Sequence, residues 1–151
     1  MDYLELGYIG LFLICFLSAT ILPFASEGVL ILFLVTGFDP LICLVIASLG
    51  NIIGGLTNYW LGLLGNPESL KKRFKKPESF ERLKSAINKY GYWLGLLSWT
   101  PILGDPLTIA LGFFRVRFWP FFILMSLGKI ARYAVIIFIW NQEFHQSIYV
   151  N

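Results

Sequence analysis

Four ionisable side chains, Glu27, Asp105, Lys129 and Arg132, stand inside stretches of the chain that are otherwise almost wholly apolar. An acid in such surroundings can take up and release a proton as its hydration changes. A lysine and an arginine three residues apart on one helix face can hold a phosphate or another anion. At the centre of a membrane helix each of these groups costs roughly 2.5 to 3.5 kcal/mol on insertion scales, so four without partners would be prohibitive. Their formal charges sum to zero. Two readings stay open. Glu27 and Asp105 can be caps or structural partners that tie broken helices to Lys129 and Arg132, or they can line a hydrated transport site in which an acid changes protonation as the site opens.

The two acids hold equivalent places in an internal repeat. Thr20 to Ile52 recurs, without a gap, as Ser98 to Ile130: Pro23 matches Pro101, Glu27 matches Asp105, and Ser48-Leu49-Gly50 matches Ser126-Leu127-Gly128, each pair offset by 78 positions. Lys129 aligns with Asn51. Repeats of this kind, in which two half-molecules build one site, are the internal symmetry of membrane transporters. Ser48, Asn51, Gly54, Gly55 and Asn58 are spaced as one polar and small stripe, and the glycines suit close helix approach in lipid.

Composition sets the solvent. A chain of 151 residues that is 57% apolar and 17% aromatic, with mean hydropathy +0.71, has too little interior to hide that much carbon from water. Four apolar segments can be drawn, Tyr8 to Gly37, Leu41 to Gly65, Tyr92 to Phe114, and Phe118 to Trp140. The second and fourth exceed the roughly 20 residues needed to span the hydrocarbon. The first is divided by Pro23 and the pair Ser26-Glu27. The third contains Pro101, Gly104, Asp105 and Pro106, a run that breaks a helix. Broken backbone at membrane depth needs protein or water around it, so re-entrant hairpins are expected at both places. Cys15 and Cys43 read as core filling, and no metal or redox cofactor is suggested. The start of the chain lacks a basic leader, so the first apolar stretch is expected to be retained.

Charge distribution fits that topology. Residues 66–90 hold eight basic and three acidic side chains, a net +5, and Arg115 and Arg117 follow the third segment. A re-entrant third segment puts both clusters on the cytoplasmic side, whereas a full crossing would split them across the membrane. The second copy is then inverted relative to the first. Within the basic stretch, Pro77 and Glu78 form a helix start, Phe80, Leu83, Ile87 and Tyr90 recur at helical spacing, and Gly91 is the stop. This amphipathic helix either lies on anionic headgroups or serves as a solvated connector.

Taken together, Ser18-Ala19-Thr20-Ile21-Leu22-Pro23, Ser26-Glu27, Gly50-Asn51, Gly54-Gly55-Leu56-Thr57-Asn58, Leu97-Ser98-Trp99-Thr100-Pro101, Gly104-Asp105, Leu127-Gly128-Lys129 and Arg132-Tyr133 resemble the YqaA-like branch of the DedA family, also called the SNARE-associated Golgi protein or VTT-domain family. The resemblance spans about residues 8 to 140. It implies a multi-pass bacterial inner-membrane protein with two facing re-entrant segments, linked to envelope homeostasis and to proton-dependent movement of undecaprenyl phosphate or phospholipid. Many larger members carry arginines three residues either side of the second re-entrant proline. Here those positions are Ser98 and Gly104, which leaves Lys129 and Arg132 as the source of positive charge.

The expected fold is all-α and polytopic. It has a first repeat over about residues 8–65, a basic connector at 66–90 and a second repeat over about 92–141, forming a single membrane domain. The expected function is proton-coupled flipping or scrambling of a phospholipid or polyprenyl-phosphate-like lipid. Glu27 and Asp105 would be the coupling acids, Lys129, Arg132 and Asn51 the headgroup site, and Pro23, Ser26, Pro101 and Gly104 the breaks. A proton-coupled exporter of small ions or cationic drugs is the alternative. No nucleophile with a base, metal ligand set or phosphate loop suggests an enzyme, and nothing points to nucleic acid. The expected partners are membrane lipids, anionic ones included, and the proton, with assembly as a homodimer left open.

Overall fold

The computed structural model describes residues 3–20, 25–65, 77–100 and 103–149, and every element among them is helical. The helices are α1 (Tyr3–Ser18), α2 (Ala25–Val35), α3 (Pro40–Leu63), α4 (Pro77–Tyr90), a 3-10 helix (Gly91–Trp99), α5 (Gly104–Phe113) and α6 (Phe118–Tyr149). Two of them carry stretches long and apolar enough to cross a membrane, the 24 residues Pro40–Leu63 and the 25 residues Phe118–Gln142. At 1.5 Å per residue each covers about 36 Å, more than the roughly 30 Å of hydrocarbon. α2 and α5, with 11 and 10 residues, reach only about 15 to 17 Å.

The first and third apolar segments are interrupted near the expected breaks, but Ser26 and Gly104, expected in the breaks themselves, lie in the first turns of the helices that follow, where the backbone amides need no intrahelical acceptor. α1 stops at Ser18 and α2 begins at Ala25. The 3-10 helix stops at Trp99 and α5 begins at Gly104. Pro23 and Pro101 themselves, and the basic run 66–76, lie outside the described residues.

The chain divides into two compact units, one made of Met1–Gly54 with Lys129–Asn151 and the other of Gly55–Gly128. In the first, α1 and α2 pack on each other around a core of Leu11, Cys15, Leu30, Leu34, Cys43, Ala47, Tyr133 and Ile137. The N-terminal half of α3 lies against the backbone of α1, and a Cβ on Gly54 would come within 2.7 Å of the Phe16 carbonyl oxygen. That is the close approach expected of the small-residue stripe, whose members Ser48, Asn51, Gly54, Gly55 and Asn58 are all buried.

In the second unit α5 packs on the 3-10 helix, and the C-terminal half of α3 meets α5 backbone to backbone. A Cβ on Gly112 would collide with the Tyr59 carbonyl oxygen, and one on Gly62 with that of Ile109. α4 starts at Pro77 and ends before Gly91, which takes a positive φ of 51°, so both expected end signals act. Its apolar face is covered by protein. Phe80 and Ile87 are buried, α4 packs on the 3-10 helix, and the Phe80 ring lies 6.0 Å from that of Phe114. Tyr90, expected on the same face, is exposed.

The sequence repeat is also a backbone repeat. α2 closes with Gly37 N–H donating to the Leu34 carbonyl and Phe38 N–H to that of Phe33; α5 closes with Arg115 N–H donating to Gly112 and Val116 N–H to Leu111. Each bond has its counterpart 78 residues on, and both turns have a left-handed residue at the same place, Gly37 at φ 87° and Arg115 at φ 52°. This is the Schellman ending, in which the last carbonyls of a helix are satisfied by two reversed amides. The helices that follow begin at Pro40 and Phe118, again 78 apart.

Candidate functional site

Glu27 lies in the first turn of α2, immediately after the break. Unpaired amides and the positive end of the macrodipole favour a carboxylate there. Its charge is met by α6. Arg132 Nε donates to Glu27 Oε1 at 2.7 Å, and Nη2 reaches the same oxygen to complete an ion pair. The arginine side chain is 11% exposed and the glutamate 31%, so the pair sits at the edge of the packed interior.

One turn earlier on the same face of α6, Lys129 is almost fully buried and donates from Nζ to Asn51 Oδ1 on α3. Asn51 passes the network on. Its Nδ2 donates to Tyr133 Oη at 2.9 Å and makes a longer contact, 3.5 Å, with the Cys15 carbonyl, which also accepts from Ser18 Oγ at 3.0 Å. Tyr133 is fully buried, and its hydroxyl lies beside the side chains of Ser26 and Cys15. Lys129, Arg132 and Tyr133, at spacings of three and four, thus put two cations and a hydroxyl on one helix face. The first unit therefore gathers Glu27, Ser26, Asn51, Lys129 and Arg132, an arrangement able to hold an anion and to exchange a proton beside it.

Asp105 and Gly104 belong to the second unit. Asp105 is in the first turn of α5, the place Glu27 has in α2, with its Oδ1 buried. Gly104 opens the helix pressed against the 3-10 helix, where a Cβ would strike the Ser98 carbonyl oxygen. Thr108 Oγ1 donates to the Gly104 carbonyl at 2.8 Å.

Tyr133 is the participant that sequence reasoning missed. It entered only beside Arg132 in the family resemblance, with no role of its own, and its spacing of four from Lys129 is the signal that could have found it. Charge balance alone makes Lys129 the partner to test for Glu27; the geometry instead gives Glu27 to Arg132 and Lys129 to Asn51, a pairing set by how the helices pack and not by sequence spacing.

The VTT domain family profile matches residues 22–142. The chain is 36% identical over 132 residues to the inner membrane protein YqaA of Escherichia coli (strain K12), covering 87% of this chain and 89% of that protein. An uncharacterised protein of Haemophilus influenzae is 31% identical over 137 residues, covering 85% and 84% of the two chains. One of Methanocaldococcus jannaschii is 25% identical over 145 residues, covering 93% and 89%. No solved structure matches.

Proposed function

The chain belongs to the VTT-domain (DedA) family in its YqaA-like branch and is a bacterial inner-membrane protein, and from that premise we propose that it carries a phosphate-bearing lipid across the membrane in exchange for protons. The observation that supports this most is the Glu27–Arg132 ion pair one helical turn from the buried Lys129–Asn51–Tyr133 network. A phosphate and the Glu27 carboxylate are competing anions for Arg132. While Glu27 is ionised it holds the guanidinium. When Glu27 is protonated the guanidinium is released, and the fork of donors suits two phosphate oxygens. Lys129 adds a second positive charge from the same face, and Asn51 fixes its position.

In this reading α1 with α2, and the 3-10 helix with α5, are re-entrant hairpins, too short as single helices to cross. The two copies are inverted, so that Arg115 and Arg117 join the cytoplasmic basic residues while Asp39 faces the other side. Asp105 is the acid of the second copy. The protein acts as a carrier and makes or breaks no covalent bond. The test is reconstitution in vesicles carrying a labelled phospholipid or polyprenyl phosphate, with and without a pH gradient. Lipid movement that depends on the gradient and on Glu27 is the expected result. Proton-coupled ion or drug flux without lipid movement would replace this reading with that of an exporter.

A further inference from the structure

A cavity of about 450 Å³ opens in the first unit, lined by Ile31 of α2 and by Ile136, Ile139 and Trp140 of α6. Its position follows from the ion pair. Ile31 is four residues beyond Glu27 on α2, and Ile136 and Ile139 are four and seven beyond Arg132 on α6. Residues so spaced share a helix face, so the groove continues the line of the ion pair along both helices and begins about 6 Å from it. Ile136 and Trp140 pack against the core, while Ile31 and Ile139 are 41% and 53% exposed. The groove thus has a fixed wall and an open side. Its volume falls in the small-molecule range.

We propose that this groove seats the first part of a hydrocarbon chain of a lipid whose phosphate lies at Arg132. The inference rests on the lipid-carrier reading and adds a site for the tail. A head at the ion pair and a tail along Ile31, Ile136, Ile139 and Trp140 match the two halves of one amphiphile. A phosphate alone would leave the apolar half of the surface unused, and a chain alone would leave the charges unused. The tail sets register: held in the groove, it fixes how far along α6 the phosphate can travel.

The experiment uses the full chain in neutral phosphatidylcholine vesicles containing a trace of phosphatidic acid with a photoactivatable group part-way along one acyl chain. Labelling is expected to concentrate on the peptide containing Ile136, Ile139 and Trp140. It should fall at least about tenfold in Arg132→Gln, as for loss of a charge-assisted contact, and comparably in Ile139→Trp, which fills the groove and spares the polar network. Ile139→Trp keeps the test open if Arg132→Gln fails to fold. A diacylglycerol with the same label and no phosphate should mark this peptide no more than other lipid-facing helices. Equal labelling by the two probes, or labelling indifferent to Ile139→Trp, would overturn the proposal, as would crosslinks joining this peptide to a second copy of the chain. Transport measured on the same vesicles separates the two ideas. Selective labelling without transport defeats the carrier reading and leaves the tail site; transport without selective labelling does the reverse.

Discussion

The turn that joins α2 to α3 and the turn that joins α5 to α6 have the same backbone, hydrogen bond for hydrogen bond, and opposite charge. In the first, glycine takes the left-handed position and Asp39 caps the next helix, its Oδ1 accepting from Leu41 N–H at 2.8 Å and Ile42 N–H at 3.0 Å, with Pro40 at the first helical position. Every choice there suits a helix end. In the second, arginine takes both places. Arg115 stands at φ 52°, a conformation that costs a residue with a Cβ about 1 kcal/mol or more. Arg117 has no acceptor to offer the following amides, and puts a cation at the positive end of the α6 macrodipole. Local chemistry favours the first turn throughout. On the inverted topology proposed above, the second turn would be cytoplasmic, where positive charge is wanted. On that proposal the difference teaches that membrane orientation outranks helix-end chemistry when the two conflict; what the turns themselves show is that one backbone shape is built from opposite charges.

The largest effect should come from making the first turn resemble the second. On the proposed topology Gly37→Arg with Asp39→Arg loads the far side with two cations, and most of the protein is expected to insert wrongly or not at all. Accessibility of a cysteine at Asn66 reads this out, because Cys15 and Cys43 are buried. Normal orientation in the double variant would show that the charge difference between the turns has nothing to do with topology.

Next in size is the acid that both copies retain. Glu27→Gln strips Arg132 of this carboxylate and should cost about 2–3 kcal/mol, below the 3–5 of a fully buried pair because the glutamate is 31% exposed. Arg132→Gln should cost a similar amount. Thermal unfolding in detergent of the two singles and the double checks the pairing: the double should recover most of the loss, and strictly additive losses would dissolve the pair. On the carrier reading, transport should stay absent in the double, since the charge of the pair is balanced again without the acid proposed to exchange protons or the cation proposed to bind phosphate.

Asp39→Ala removes two cap hydrogen bonds and should destabilise by about 1 kcal/mol. The matching change in the second turn, Arg117→Ala, should be neutral or slightly stabilising in detergent. Smallest is Arg115→Gly, expected to raise stability by about 0.5–1 kcal/mol because glycine takes the left-handed position without strain. A loss of stability in Arg115→Gly would mean that the arginine side chain makes a contact that offsets its strained backbone.

What the sequence made legible was what local chemistry writes. The start of α4 at Pro77 and its end before Gly91, the interruption of the first and third apolar segments, the two long helices and the offset of 78 all follow from residue types at fixed spacings, while the break residues Ser26 and Gly104 prove to be helix starts. What it did not disclose depends on rotation and contact. Nine residues wound as a 3-10 helix are unusual, and their setting is tertiary: Gly95 abuts Phe121 and Gly104 abuts Ser98. The apolar face of α4 was legible, but not that protein would cover it at Phe80 and Ile87. The choice of Arg132 for Glu27, and the entry of Tyr133 through Asn51, join residues 105 and 82 positions apart, which no local pattern encodes.

The composition of the two units also has a consequence in time. Gly55–Gly128 is one unbroken stretch, whereas the other unit needs Met1–Gly54 and Lys129–Asn151 together. With 105 residues between Glu27 and Arg132 and synthesis at about 5–20 residues per second, the acid waits roughly 5–20 s for its cation. The ribosome delivers Glu27 and Asn51 first, and Lys129 and Arg132 only after the whole of the second unit. A nascent chain that stalls at Gly128 carries every residue of the second unit but leaves the first with a carboxylate and no guanidinium to meet it. Completing the first unit and pairing its Glu27 carboxylate are therefore a single event.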